Sequence, residues 1–79
     1  MKTLTSADLR TETKKTLKII GDNLYTLRMH AGKSLKEVAK DVEISSGTIS
    51  KIEKGAYDLW LNQLFRLSEY YNVKPADLL

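Results

Sequence analysis

The feature that most constrains the fold is a pair of short helical segments, each with its own start signal, between Ser34 and Gly55. Ser34 is followed by Glu37 at the spacing of a capping box, and Ser45 is a second candidate N-cap shortly afterwards. Each segment spans only about two turns, and isolated helices shorter than about 12 to 15 residues are marginal in water. The two segments must therefore be stabilised by packing against each other and against a shared core.

Apolar spacing defines the inward face of each segment. In the first segment the buried stripe consists of Leu35, Val38, Ala39 and Val42, which share one helix face. The second segment is predicted to run from about Ser46 to Lys54, with Gly55 as its stop, and its inward residues are Thr48, Ile49 and Ile52. The turn between the segments is predicted to span residues 41–44. The residues that remain outward on the second segment are small, polar or basic: Ser46, Gly47, Ser50, Lys51 and Lys54.

A longer helical stripe precedes this pair and consists of Leu9, Thr13, Leu17, Ile20, Leu24 and Leu27. Thr5 and Asp8 predict a capped start near Ala7, and Gly32 predicts the stop. Gly21 is the weak helix former inside the stripe, so one long helix and a broken pair of helices both fit the pattern.

The last part of the chain predicts two more helices. Asp58 is placed to cap a helix whose buried stripe is Leu61, Leu64, Leu67 and Tyr71. Asn72 can adopt the left-handed conformation at its end, and Pro75 suits the first turn of a final short helix reaching Leu79. Because no segment alternates with period two, we predict an all-α domain of four or five short helices around one core.

Charge and composition restrict the function more than the fold. The 79 residues include 13 Lys+Arg and 10 Asp+Glu, a net charge of +3, which favours a polyanionic partner. The sequence has no cysteine, no long apolar run and no leader pattern, so we expect a cytoplasmic protein without a membrane partner, metal or cofactor. His30 is the only histidine and lacks a nucleophile pattern around it, so an enzyme is not expected.

Five runs of residues, together with Leu78, resemble a known family. The runs are Ser34-Leu35-Lys36-Glu37-Val38-Ala39, Ile44-Ser45, Thr48-Ile49-Ser50-Lys51-Ile52-Glu53-Lys54-Gly55, Leu64-Phe65-Arg66-Leu67-Ser68 and Tyr71-Asn72-Val73. From Ile19 to Leu79 the chain is similar to the phage repressor and Cro type, or xenobiotic-response-element, helix-turn-helix family. The resemblance implies a five-helix, lambda-repressor-like DNA-binding domain over residues 19–79, preceded by a partly helical extension over residues 1–18. It also implies that the third helix lies in the major groove of DNA.

The resemblance also implies roles for individual residues. Ser46, Gly47 and Lys51 match the positions that most often contact bases, and Ser50 shares their outward face. Ser34 and Lys54 match phosphate-contacting positions, to which the basic residues and helix starts nearby add Lys33, Lys36, Lys40 and Ser45. Arg28 and Glu53 match a structural ion pair that ties the first helix to the end of the recognition helix, and Ala39 matches the small residue where the second and third helices cross.

The sequence departs from the family pattern in two places. Glu43 stands where the turn usually has glycine, and a left-handed residue other than glycine costs on the order of 1 kcal/mol. Leu59 stands where proline is frequent and Trp60 where a small N-cap residue is usual. We therefore expect the fourth helix to start at Asp58 instead.

The resemblance implies a sequence-specific regulator of transcription that binds double-stranded DNA, acting as a repressor and a homodimer. Candidate dimer contacts are the surplus apolar residues Tyr57, Leu59, Trp60, Leu78 and Leu79, although Trp60 and Tyr70 can alternatively close the small core. The competing function is an antitoxin-like or adaptor module whose main partner is another protein.

A basic ridge in the N-terminal extension is formed by Arg10, Lys14 and Lys18, which recur at i, i+4 and i+8, with Lys15 beside it. One interpretation is a solvated helix face. The other is an arm that touches the DNA backbone or a partner subunit.

Overall fold

The structure, a computed structural model, describes residues 3–79 and contains four α-helices and one short 3₁₀ helix. The α-helices are α1 (Ser6–His30), α2 (Leu35–Val42), α3 (Ser46–Glu53) and α4 (Leu61–Tyr70), and the 3₁₀ helix is Pro75–Leu78. No strand occurs within residues 3–79. The predicted all-α class is confirmed, with the fifth helix reduced to a single 3₁₀ turn.

Reciprocal caps explain where the helices begin. The Thr5 hydroxyl accepts from the Asp8 N–H at 3.1 Å, and the Asp8 carboxylate accepts from the Thr5 N–H at 3.1 Å. Ser34 and Glu37 form the same box, also with both hydrogen bonds at 3.1 Å. Each box satisfies N–H groups that have no partner inside the helix, so both predicted starts are confirmed.

A left-handed residue follows each of the four α-helices, within two residues of its end. Gly32, Gly55 and Asn72 have φ values of 66°, 72° and 57°, as predicted from their positions after the helical stripes. Glu43 caps α2 with φ 58° and ψ 41°. The predicted turn at residues 41–44 begins too early, because Asp41 and Val42 still belong to α2 and the connection to α3 consists of residues 43–45.

The core lies where α2, α3, α4 and the 3₁₀ helix meet the C-terminal half of α1. Its buried apolar residues are Ile20, Leu24, Val38, Val42, Ile44, Ile49, Ile52, Leu64, Leu67 and Leu78. The first part of the α1 stripe is not buried: Leu9 is 53% exposed and Thr13 is also exposed. The other elements reach only the second half of α1, so the stripe has no packing partner before Leu17.

Helix α1 is continuous, which decides between the two alternatives left open by Gly21. A boundary between residues 18 and 19 therefore falls inside one helix, and Met1 and Lys2 of the predicted extension lie outside the described residues. At Gly21 the helix touches α3: an added Cβ would collide with the Ile52 carbonyl oxygen and lie 2.8 Å from that of Glu53. Gly21 allows close backbone approach, and it does not interrupt the helix.

The predicted start of α4 at Asp58 is wrong. The helix begins at Leu61 with Trp60 at the N-cap, and the Trp60 N–H donates to the Gln63 side-chain oxygen at 2.9 Å. Because Gln63 supplies the acceptor, the N-cap side chain does not have to. Leu61, predicted to be buried, is 69% exposed, since it lies on the first turn away from the core.

Candidate nucleic-acid interface

The turn between α2 and α3 is built around left-handed Glu43. Beyond it, Ile44 is buried in the core and its N–H donates to the Ala39 carbonyl oxygen at 3.3 Å. Arg66 from α4 donates to the Val42 carbonyl oxygen at 3.4 Å, which gives an acceptor at the end of α2 a partner. These contacts hold a non-glycine residue in a conformation that costs on the order of 1 kcal/mol.

Ser45 starts α3 and orients its first turn. Its hydroxyl accepts from the Thr48 N–H at 3.1 Å and donates to the Thr48 hydroxyl at 2.8 Å. Thr48 is half-buried, and Ile49 and Ile52 are buried, so the inner face of the helix is packed on the core. The opposite face is consequently turned to solvent.

The outward face of α3 combines short polar groups with one long basic side chain. Gly47 and Lys51 are exposed, and Ser46 and Ser50 are half-buried. A Cβ added at Gly47 would meet no atom within 4 Å, so packing within the chain does not require glycine there. The face is therefore flat at Gly47, and Lys51 is the long basic side chain next to it.

An ion pair fixes the C-terminal end of α3 to α1. The Arg28 Nε and Nη2 atoms donate to the two Glu53 carboxylate oxygens at 2.8 and 3.0 Å, and Nη1 donates to the Lys33 carbonyl oxygen at 3.0 Å. Both side chains are nearly buried, with 11% and 7% exposed. The hydrogen bond to Glu53 raises the pKa of Arg28, so the guanidinium stays charged. This bidentate geometry holds α1, α3 and the start of α2 in one arrangement.

Tyr71 lies close to this ion pair. Burial of the phenol, followed by the negative charge of Glu53, raises the pKa of Tyr71 to about 12. Its hydroxyl group therefore remains neutral at any pH at which the domain is expected to work.

The candidate phosphate-contacting residues lie around α2 and α3. Exposed members are Ser34, Lys36, Lys40, Ser45 and Lys54, while Lys33 is half-buried. The Ser34 hydroxyl and N–H are both engaged with Glu37. Those hydrogen bonds hold the pKa of Glu37 below its ordinary value, so a carboxylate accompanies the helix start at this end of the surface.

Two contacts that brace the surface were not predicted from the sequence. Arg66 reaches the end of α2, as described above, and the Tyr70 hydroxyl donates to the Asp41 carboxylate at 2.8 Å. Each joins α4 to the end of α2 across a long stretch of chain. Helical periodicity carries no signal for such pairs, because their residues meet only after the core has formed.

Apolar surface is concentrated at the start of α4. Trp60, Leu61 and Phe65 are 66%, 69% and 53% exposed, and Leu79 at the end of the chain is 66% exposed. Tyr57 and Leu59 are half-buried against the core.

Among the candidate dimer contacts, the prediction for Leu78 is wrong, because its side chain is not on the surface where a second copy could cover it. It is 1% exposed, because the 3₁₀ helix turns it into the chain's own core, where its carbonyl oxygen accepts from Asn23 at 2.8 Å. Trp60 does not close the core, whereas Tyr70 does pack against it.

Within residues 3–79, no group of three or more His, Asp and Glu side chains is arranged to hold a metal ion. In the same part of the chain, no helix combines the length and apolar character needed to cross a membrane.

Comparison with known proteins agrees with this geometry. A family model described as helix-turn-helix matches residues 24–78, which include all of α2 and α3. The solved structure of the DNA-binding domain of BldD from S. venezulae superposes with a TM-score of 0.71 at 24% identity, covering 82% of this chain and 97% of that one. No curated protein matches the chain. The chain therefore belongs to the helix-turn-helix family of the Cro and C1 type, a family of DNA-binding regulators of transcription.

Proposed function

We propose that this protein recognises a specific double-stranded DNA sequence by placing α3 in the major groove, and that it represses transcription as a homodimer. The base-contacting residues are Ser46, Gly47, Ser50 and Lys51. The phosphate-contacting residues are Lys33, Ser34, Lys36, Lys40, Ser45 and Lys54. Its place of action is the cytoplasm.

The observation that carries the proposal is the open space at Gly47. Glycine in a helix costs about 1 kcal/mol relative to alanine, and no neighbouring atom in the chain requires it. A surface that must approach base edges closely does require it, because a missing side chain lets the helix backbone sit deeper in the groove. Gly47 lies between Ser46 and the other outward residues, at the centre of the proposed reading face.

Lys51 supplies the base-reading chemistry that the short side chains lack. It is exposed on the same face, and a lysine ammonium can donate to guanine O6 and N7 in the major groove. Ser46 and Ser50 have hydroxyl groups that donate or accept with little preference among bases. We infer that specificity depends mainly on Lys51 and on the shape of the DNA.

The homodimer is supported by the exposed apolar surface and by the small size of the reading face. Trp60 and Leu79 are both 66% exposed, and Tyr57 and Leu59 lie beside Trp60 in the connection to α4. Burial of these side chains between two copies would remove apolar area from water. Two copies would then read half-sites about 34 Å apart.

The same apolar surface also favours a second candidate function. An exposed cluster such as Trp60, Leu61 and Phe65 marks an interaction site, and a different protein can cover it as well as a second copy can. In that case the protein is an antitoxin-like or adaptor module whose main partner is a protein.

Selection of bound duplexes from a random DNA pool tests the proposal directly. We expect a consensus with two related half-sites, and binding to it that exceeds binding to random DNA by at least about a thousandfold. A reporter gene carrying the selected site across its promoter should lose expression. The absence of binding to any duplex at low salt would reject DNA recognition and favour the adaptor.

A further inference from the structure

The N-terminal part of α1 extends beyond the core of the domain. Every residue from Ser6 to Thr16 is exposed, and Ile20 is the first buried residue of the helix. At about 1.5 Å per residue the whole helix is about 37 Å long, which explains the elongated extents of 43 × 23 × 19 Å. We call residues 6–18 the arm.

The arm carries the basic ridge, Arg10, Lys14 and Lys18, along one side. The ridge is about 12 Å long, since its ends are separated by eight helical steps of about 1.5 Å. Lys18 pairs with Asp22 at 2.7 Å, but both side chains are about 60% exposed, so the pair is weak. Among residues 3–79, neither Arg10 nor Lys14 forms an ion pair. Like charges at i and i+4 destabilise a helix, and a polyanion alongside would remove that repulsion.

The ridge ends beside the C-terminus of α3. A Cβ added at Gly55 would lie 2.9 Å from the Lys18 Cα atom and 3.1 Å from its nitrogen, so the two backbones are in contact. Lys14 and Leu17 line a shallow hollow together with residues 55–58, which include one acidic residue, Asp58. Gly55 directly follows Lys54, the proposed phosphate contact at the end of the recognition helix. The ridge is thus continuous with the proposed DNA-binding surface.

We propose that the basic ridge binds the phosphates of the DNA backbone next to those contacted by Lys54, and so lengthens the footprint beyond the base pairs under α3. This inference rests on the proposed function, since it requires α3 to lie on DNA. A ridge about 12 Å long spans several phosphates, which are spaced about 3.4 Å apart per strand along the axis. The contacts are with phosphate only, so they strengthen binding to operator and random DNA alike.

The experiment compares a double variant of the ridge with a control variant of equal net charge, both in the full chain. Arg10→Gln/Lys14→Gln removes the two ridge residues that lack an ion pair. Lys74→Glu changes the net charge by the same two units at an exposed site outside α1 and serves as the matched control. Equilibrium binding is measured on a long duplex between 50 and 200 mM salt, and circular dichroism verifies that helix content is unchanged.

We expect the ridge variant to lower the slope of log affinity against log salt by about 2, because each lost phosphate contact contributes about 0.9. The factor by which the ridge variant binds more weakly than wild type should therefore be about tenfold smaller at 200 mM salt than at 50 mM salt. The control should keep the wild-type slope. On a duplex trimmed to the base pairs under α3, wild type and ridge variant should bind equally.

Equal slopes for the ridge variant and wild type would overturn the inference while leaving DNA recognition by α3 intact. An equal loss of affinity in the ridge variant and in Lys74→Glu would also overturn it, because the effect would then be one of net charge. If the ridge variant instead changes the sedimentation of the free protein, the arm contacts a second copy and the inference is wrong. Failure of the wild type to bind any duplex would overturn both this inference and the proposed function.

Discussion

At the scale of single residues, the outward face of α3 divides into a residue proposed to read bases and one proposed to hold phosphate. Lys51 is exposed on the second turn of α3, whereas Lys54 caps the C-terminal end of the helix. The two lysines are matched in charge and in exposure. Any difference between their alanine variants therefore reports position and not net charge.

We expect Lys51→Ala to cost about 1 to 3 kcal/mol on the selected operator and to relax the preference at one base pair. Lys54→Ala should weaken operator and random DNA alike and lower the salt slope by about 1. Binding isotherms on both DNAs at two salt concentrations measure these quantities. An equal loss on operator and random DNA for Lys51→Ala would refute its role in base reading.

Replacement of two helical glycines, Gly47 and Gly21, by alanine should have opposite effects on the free energy of unfolding. Gly47 faces open space, so Gly47→Ala should raise the free energy of unfolding by about 1 kcal/mol while weakening operator binding. Gly21 contacts the carbonyl groups of α3, so Gly21→Ala should lower that free energy by about 1 to 3 kcal/mol.

Urea unfolding and operator titration of the two glycine variants provide the measurements. Unchanged operator affinity in Gly47→Ala would show that the backbone does not approach the bases closely at this position. The Gly21 variant verifies that the unfolding assay responds to a packing change between α1 and α3.

At the scale of helices, the position of α3 depends on the Arg28–Glu53 ion pair. The pair joins the last turns of α1 and α3, and Arg28 also holds the carbonyl group of Lys33 just before α2. Because both side chains are nearly buried, a lone partner would be an uncompensated charge in a poorly solvated site. The pair therefore specifies how α1 meets the recognition helix.

We expect Arg28→Met to lower the free energy of unfolding by about 3 to 5 kcal/mol, because Glu53 is then buried without a partner. The double variant Arg28→Met/Glu53→Met should regain most of that loss, since no charge remains buried. Urea unfolding measures both. The single variant Glu53→Met completes the comparison. If the loss of stability in the double variant equals the sum of the losses in the two single variants, direct coupling between the two groups is refuted.

At the scale of the whole molecule, the chain consists of a compact core and of helix α1, whose N-terminal half extends beyond that core. The core covers α1 only from about Leu17, and every residue of the preceding turns is exposed. A helix segment of this length is marginal in water without packing. The capping box at Thr5 and the continuity with the buried half of α1 are what support it.

We expect amide hydrogen exchange to separate these two parts of α1. Amides of residues 9–16 should exchange through local opening, whereas the amide of Leu24 should exchange only on global unfolding. Addition of a long DNA duplex should slow exchange in the arm if the basic ridge contacts phosphate. Equal protection of the arm and of Leu24 in the free protein would contradict the two-part description.

Most of the local structure was predictable because its causes are local. The capping boxes at Thr5 and Ser34 and the stripes of α2 and α3 depend on residues three or four positions apart. The left-handed ends depend on the residue type at a single position: Gly32, Gly55 and Asn72. Such spacings are visible in the sequence. The family resemblance depends on the same short-range patterns, so it can be seen without the tertiary structure.

The sequence by itself therefore determined the helices, their caps and the polar outward face of α3. Only the tertiary structure decided which half of α1 is buried, that Leu78 belongs to the core, that Trp60 stays in solvent, and that Gly21 touches α3. It also brought the basic ridge beside Gly55. The physical reason is that burial and contact depend on which distant segments share the limited surface of one small core, and periodicity within a segment does not carry that information.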